Sequence, residues 1–367
     1  MPNHWLELHR AHLLHNLAGL RAVVGAARIM PVVKANYYGA GAAPIAGALA
    51  AEGVDAFAVA TVPEAVELRE QGIGGTLTVL TYFAPDETEA IVRHDLSPVV
   101  FTPEAVEALA ARAEALGRTA RAWVKVDTGL GRIGVPFGEA AEFARQVVGR
   151  PRLRIEGLLS TLAENPARNM LQMERLRGVQ TALQDLGALP LSLASTDGIL
   201  SQPACHLDVV RPGIVLLGVV PRAARADATL VGRMAPRPVV TWKARVVYVK
   251  RVPRGEQVGY GVRAPLEREA DIATLAIGWA DGYPQAAQGT AHALLGGRRC
   301  PILAISANSS MVDATGAAGV AVGDEAVLVG RQGDQEIPAA EIAQIVGSSY
   351  RLLATIPRAV PRLWAAP

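Results

Sequence analysis

The chain has 367 residues, half of them hydrophobic and 19% charged, which suggests about two domains with a full apolar core and excludes disorder as the main state. Lysine and arginine together number 36 against 34 acidic residues, a net charge of +2, so no bulk electrostatic attraction for nucleic acid exists. Two cysteines, Cys205 and Cys300, cannot make a disulfide framework, and a reduced cytoplasmic protein is the default expectation.

In chain order, His4, Glu7, His9, Arg10, His12 and His15 leave the first residues no apolar signal region, and no later run is long enough to span a membrane. His4–Leu8 alternates and reads as a strand that joins the C-terminal part. Leu13, Leu17, Leu20 and Val24 share one helix face. Short apolar runs come next at Ile29–Lys34, Ala56–Ala60, Leu77–Thr81, Pro98–Phe101, Ala122–Val126, Ile155–Ser160, Leu191–Ala194 and Val209–Leu216. Helical patterns separate them at Pro44–Ala51, Pro63–Glu70, Asp86–Arg93, Pro103–Leu116, Glu139–Val148 and Arg168–Leu186. Thr102 before Pro103 is a good N-cap; if Pro63 opens its helix, the cap falls to Val62, a poor one. The gap between the last two runs is too short to assign.

This alternation predicts an α/β fold, a (β/α)8 TIM barrel, with a doubly wound open sheet as the alternative; the glycine-rich turn such a sheet would favour is missing after the first strand. From about residue 230 the texture changes to strands, Val239–Tyr248, Ile272–Ile277, Ala293–Leu295, Pro301–Ile305 and Glu325–Val329, with a late helix over Ala339–Ala354. The expected organisation is a barrel over residues 9–230, then a mainly β C-terminal domain over 231–367 that recruits residues 1–8.

Barrel chemistry gathers where strands end at their C-terminal side. Strand one ends in Lys34, followed by Tyr38; strand five ends near Lys125, with Asp127 and Arg132 in its loop, and Ser160-Thr161 end strand six. Ser195, Thr196 and Gly198 come after strand seven, and Arg211 with Gly213-Ile214 lies on strand eight, the usual phosphate position. A lysine at a barrel mouth beside a phosphate cradle suits pyridoxal phosphate, which needs an amine, an anion site and a partner for its pyridine nitrogen. A barrel that uses Lys34 to bind an anionic substrate is the alternative. No histidine spacing with acidic company marks a metal site.

These residues carry a resemblance. Val32–Gly39 (VVKANYYG), Lys125–Gly134 (KVDTGLGRIG), Arg211-Pro212-Gly213-Ile214 with Gly218, Val258-Gly259-Tyr260-Gly261 and Ile277–Tyr283 (IGWADGY) resemble, in order and from end to end, the motifs of the bacterial alanine racemases, fold-type III pyridoxal phosphate enzymes. The resemblance implies that Lys34 binds pyridoxal 5'-phosphate and is one base, and that Tyr260, donated by the other subunit of a homodimer, is the base on the opposite face. Arg211 would meet the pyridine nitrogen. Thr196, Tyr38, Gly213, Ile214 and Tyr350 would cradle the phosphate. Arg132 would hold the substrate carboxylate, and Lys125 aligns with a lysine that is often carbamylated; pairing of an unmodified Lys125 with Asp127 would leave the same sequence. The implied activity is interconversion of L-alanine and D-alanine, which supplies peptidoglycan synthesis.

Several positions depart from the family pattern. Thr161 and Ser192 replace two histidines, Ala307-Asn308 replaces a Met-Asp pair near the substrate carboxylate, and Trp279 replaces an entrance tyrosine. A smaller side chain at Ala307 predicts tolerance of larger amino acids. Two other readings stand beside the first: a broad-range racemase or other fold-type III pyridoxal phosphate enzyme, and a non-catalytic cofactor-binding protein. The relatives of that last kind are barrel-only.

Overall fold

The computed structural model describes residues 2–221, 226–260 and 264–366. Among these, eight parallel strands close a barrel: Arg28–Ile29, Ala56–Val59, Thr76–Val79, Leu96–Val100, Ala120–Asp127, Leu153–Leu159, Leu191–Ser195 and Val209–Arg211. The last strand pairs with the first (Val209 opposite Arg28), and a bridge from Val32 to Ala58 completes the ring. Strands covered on both faces favour apolar residues throughout; Ala56–Val59 is apolar and buried along its whole length, and in the equally buried Leu96–Val100 the one polar residue, Ser97, donates to Glu156 at 2.6 Å. Each expected run overlaps one of these strands, but the first strand stops at Ile29, so Lys34 lies beyond it and not at its end, and the last stops at Arg211, after which Ile214–Leu217 form a 3-10 turn. The unassigned gap holds a six-residue helix, Thr196–Ser201, enough to cross between neighbouring strands.

The expected poor cap at Val62 is corrected. The helix begins at Val62, so Thr61 caps it: the Thr61 hydroxyl accepts from the Glu64 amide, and the Glu64 carboxylate accepts from the Thr61 amide at 3.3 Å. Pro63 is the second residue of the helix, where its missing N–H costs nothing.

The short strand Val135–Pro136 pairs with barrel strand five, and the other nine strands form one largely antiparallel sheet, in the order Gln335–Ile337, Glu325–Gln332, His292–Leu295, Arg298–Ile305, Ser310–Asp313, Ala270–Leu275, Val240–Val252, His4–Leu8, Arg362–Trp364. His4–Leu8 is antiparallel to Val240–Val252 and parallel to Arg362–Trp364. The chain thus starts in this β domain, builds the barrel and returns. The helix Ala228–Met234 spans the expected boundary at residue 230 and packs on the Arg10–Val24 helix of the barrel. The single late helix expected over Ala339–Ala354 is two, Ala339–Val346 and Ser349–Ala354, because Gly347 turns left-handed (φ 75°) and Ser348 caps the second.

Candidate active site at the barrel mouth

The loops at the C-terminal ends of the strands build the mouth. After strand one, Lys34 opens a turn in which Ala35, Asn36, Tyr37 and Tyr38 all have φ of 51–53°. Left-handed backbone costs L-residues about 1–2 kcal/mol each, so four in succession must be held by their surroundings. Tyr37 is fully buried. Asn36 Oδ1 accepts from the Ala42 amide at 2.9 Å. Gly39 ends the turn at φ 88°, where a Cβ would lie 1.8 Å from the Leu353 carbonyl oxygen.

Strand five delivers Lys125, 3% exposed. Its Nζ donates to Thr161 Oγ1 at 2.7 Å. Asp127 serves the adjoining loop instead: its Oδ1 accepts from the Gly129, Leu130 and Gly131 amides at 2.9–3.2 Å. The pairing of Lys125 with Asp127 that the sequence allowed is therefore not a hydrogen bond here. Burial, with Arg211 and Arg132 adding to it, holds the Lys125 amine well below its ordinary range. Lys34 is lowered too, by burial and then Arg132, with Glu64 opposing.

Arg211 is 3% exposed on strand eight. Its Nη1 donates to the Ser192 hydroxyl, and its Nη2 to the Ser160 and Leu193 carbonyls at 2.6 and 3.2 Å. The Ser192 hydroxyl in turn donates to the Val209 carbonyl at 2.8 Å. These partners are neutral, and burial, then Arg132, pulls the guanidinium down to about 10. Arg132 is exposed in the loop after strand five, yet its charge acts on Lys34, Lys125 and Arg211. Four basic side chains thus share one mouth.

Behind the cations lies a network that sequence reasoning did not find. Thr128 and Ser160 hydroxyls meet at 2.7 Å, and Gln172 Nε2 donates to Thr128 Oγ1 at 3.1 Å and to the Thr161 carbonyl at 2.9 Å. Gln172, 1% exposed, lies on the helix Pro166–Ala182; a polar residue on the apolar face was the signal. Glu64 was also missed, although Thr61-x-x-Glu64 is a capping-box spacing.

Next to the cations is a cradle of small polar groups. The Gly213 amide donates to Thr196 Oγ1 at 2.9 Å. A Cβ on Gly213 would lie 2.7 Å from Tyr38 Oη, so only glycine lets that hydroxyl approach. Ile214 opens the turn Ile214–Leu217. The Tyr38 ring meets the edge of Tyr350, centroids 5.4 Å apart, and burial, then Tyr350, raises the Tyr38 hydroxyl's pKa. Tyr38, Thr196, Gly213, Ile214 and Tyr350 are thereby brought together by four separate segments.

Tyr260 lies in the β domain and is 82% exposed; Gly261, which closes its motif, is outside the described residues. Trp279, Ala307 and Asn308 lie together in the same domain. The Ala280 amide donates to the Ala307 carbonyl at 2.9 Å, and Asn308 Nδ2 donates to Asp281 at 3.3 Å. The departures therefore fall into two groups, Thr161 and Ser192 at the barrel mouth and Trp279, Ala307 and Asn308 on the β domain.

The family model for the alanine racemase N-terminal domain matches residues 8–221, and that for the C-terminal domain matches residues 239–364. The chain is 37% identical to the alanine racemase of Symbiobacterium thermophilum over 98% of this chain and 96% of that one. It is 35% identical to that of Halothermothrix orenii, with the same coverage of each. Among solved structures, that of the alanine racemase of Clostridium difficile 630 superimposes with a TM-score of 0.93 at 26% identity, covering 100% of this chain and 96% of that one.

Proposed function

Because the chain belongs to the alanine racemase family, a family of isomerases, we propose that it interconverts L-alanine and D-alanine with pyridoxal 5'-phosphate held at the barrel mouth. The observation that carries the reading is the convergence of Lys34, Lys125, Arg132 and Arg211 beside a hydroxyl and amide cradle at the C-terminal strand ends. A dianionic phosphate and an amino-acid carboxylate are the charges such a mouth accepts.

The residues fit the cofactor. Tyr38, Thr196, Gly213, Ile214 and Tyr350 would hold its phosphate, Lys34 its aldehyde carbon, and Arg211 its pyridine nitrogen. When bound, pyridoxal phosphate supplies the electron sink that makes the amino acid's α-proton removable. Racemisation needs a proton taken from one face and another given to the opposite face, hence two bases. Lys34, its amine lowered by burial and then by Arg132, would give up a proton more readily than a free lysine and so serve as one of the two bases. Tyr260 of a second copy supplies the other base, and its exposure on the surface of one chain supports a homodimer with shared sites. Arg211 stays charged at neutral pH, with its Nη groups fixed by Ser192, Ser160 and Leu193. A fixed cation there keeps the ring nitrogen unprotonated, which weakens the sink and suppresses side reactions.

Arg132 binds the substrate carboxylate. Lys125, buried as a weak base, suits reaction with carbon dioxide to give a carbamate and a proton, and the carbamate's charge would face Arg132 and Arg211. D-alanine from this reaction feeds peptidoglycan. The proposed setting is cytoplasmic, in keeping with two buried free thiols, Cys205 and Cys300; among the described residues no helix is long and apolar enough to cross a membrane.

The test is proton NMR of the cofactor-loaded protein with L-alanine in deuterium oxide. Loss of the α-proton signal together with appearance of D-alanine is expected; retention of the α-proton with a bound cofactor overturns the reading.

A further inference from the structure

The turn that carries Lys34 is anchored at both ends by side chains that belong neither to the cation cluster nor to the cradle. Glu64 Oε1 accepts from the Ala35 amide at 2.6 Å, and Oε2 accepts from the Ala60 and Thr61 amides at 2.8 and 3.3 Å. Ala35 is the residue after Lys34, so the first of these bonds fixes the peptide joining the lysine to the left-handed turn. Ala60 and Thr61 come directly after strand two. One carboxylate therefore ties the mouth ends of the first two barrel strands. At the other end, Arg362 Nε and Nη2 donate to the Gly39 carbonyl at 3.1 and 2.7 Å. Between these anchors lies a cavity of about 290 Å³ whose lining includes Val33, Asn36, Glu64, Arg358 and Arg362. Polar anchors, rather than close packing, hold the turn on that side.

We propose that Glu64 is a positioning residue for Lys34: through the Ala35 amide it holds the left-handed turn and so fixes where the lysine amine stands in the mouth. The proposal rests on the reading of Lys34 as the cofactor lysine. Glu64 need not touch cofactor or substrate for this. Its charge has a second consequence, because it opposes Arg132 and Arg211, while Lys34 in turn acts on Lys125. Removing the charge makes Lys34 a weaker base; removing the bonds misplaces it.

The experiment adds pyridoxal phosphate to the apoprotein over a pH series, traps the lysine adduct with borohydride and counts labelled Lys34 peptide by mass. Glu64→Gln, Glu64→Asp and the wild type are compared with Glu67→Gln. Glu67 lies on the same helix and accepts from Arg358 Nη1 at 2.6 Å, so its variant controls for loss of a helix carboxylate. Glu64→Gln is expected to lower the plateau trapping rate about 10- to 100-fold, the scale of a misplaced reacting group, and to move the half-trapping pH downward. Glu64→Asp is expected to return the pH midpoint towards wild type while recovering the rate only in part. Trapping in Glu64→Gln that equals wild type in rate and midpoint overturns the proposal, as does an equal loss in Glu67→Gln. If Glu64→Gln does not fold, Glu64→Asp decides: a wild-type rate overturns the proposal and a reduced rate with a wild-type midpoint supports it. A wild type that is not labelled at Lys34 overturns the cofactor reading itself, a result distinct from any difference among the variants.

Discussion

Lys125 and Thr161 are joined by a 2.7 Å hydrogen bond from Nζ to Oγ1, which gives the buried amine a neutral partner. Burial then dominates, and the amine is held well below its ordinary 10.5. In the unfolded chain this lysine keeps its proton up to about 10.5, whereas in the folded protein it has lost it at lower pH. Between those two values the unfolded state binds the extra proton, so stability rises with pH, by at most about 1.4 kcal/mol per unit for one group. As pH falls through the folded value the gain is gone. Denaturant melts of carbon dioxide-stripped apoprotein at a series of alkaline pH values should show this rise, and Lys125→Met should flatten it relative to wild type. Equal slopes for the two proteins would remove Lys125 as its source.

Two inactive variants should rescue each other. Lys34→Ala removes the cofactor lysine and Tyr260→Phe removes the opposite base, and each is expected to lose about 10²–10⁴-fold in racemisation, the usual worth of a general acid or base. If the two residues of one site come from different chains, a mixed dimer contains one site with both wild-type residues. Refolding the variants together should restore measurable alanine racemisation, and separate refolding should not. Failure of the mixture to recover activity, with exchange of chains verified by mass, places both residues in the same chain.

Gly213 has no room for a side chain. A methyl group there meets Tyr38 Oη at 2.7 Å and Cε2 at 3.1 Å, and the Tyr38 ring is in turn lodged against Tyr350. Gly213→Ala should weaken cofactor binding by about 1–3 kcal/mol, the common cost of overpacking. Equilibrium dialysis of pyridoxal phosphate measures the loss, and circular dichroism checks that the barrel survives. Unchanged affinity would exclude Tyr38 from the cradle.

Ala307→Met should sharpen the preference for alanine over larger amino acids. One methylene of pocket room is worth about 1–3 kcal/mol of discrimination, and the substitution adds three heavy atoms. Initial rates with alanine and with larger L-amino acids give the ratio; no change in it would count against Ala307 as a wall of the substrate pocket.

The barrel was legible in the sequence because most of its strand positions are buried and apolar, so that short apolar runs recur between helical patterns, although Arg121, Arg154 and Glu156 interrupt the strands Ala120–Asp127 and Leu153–Leu159. Lys34, Lys125 and Arg211 could be gathered for the same reason, since their places on or just after the strands mark one rim. The left-handed turn was not legible: Ala35, Tyr37 and Tyr38 carry no preference for positive φ, and their conformation is imposed by Glu64, Arg362 and burial. The Thr61 cap was hidden by Pro63, whose usual place at the first helical position pointed one residue too far along. Ser310–Asp313, Gln335–Ile337 and Arg362–Trp364 are strands of three or four residues, too short for alternation to stand out. Contacts such as Arg362 with Gly39 join residues 323 positions apart and leave no local pattern.

That last contact sets an order of events during synthesis. The turn bearing Lys34 leaves the ribosome early, but the guanidinium that grips its Gly39 end arrives 323 residues later, about 15–65 s at ordinary elongation rates. His4–Leu8 likewise waits for Val240–Val252 before it can pair. A nascent barrel can therefore assemble its strands while the lysine turn is still secured at one end only. Competence to capture the cofactor should consequently emerge after translation of the final strand, later than the barrel's own secondary structure.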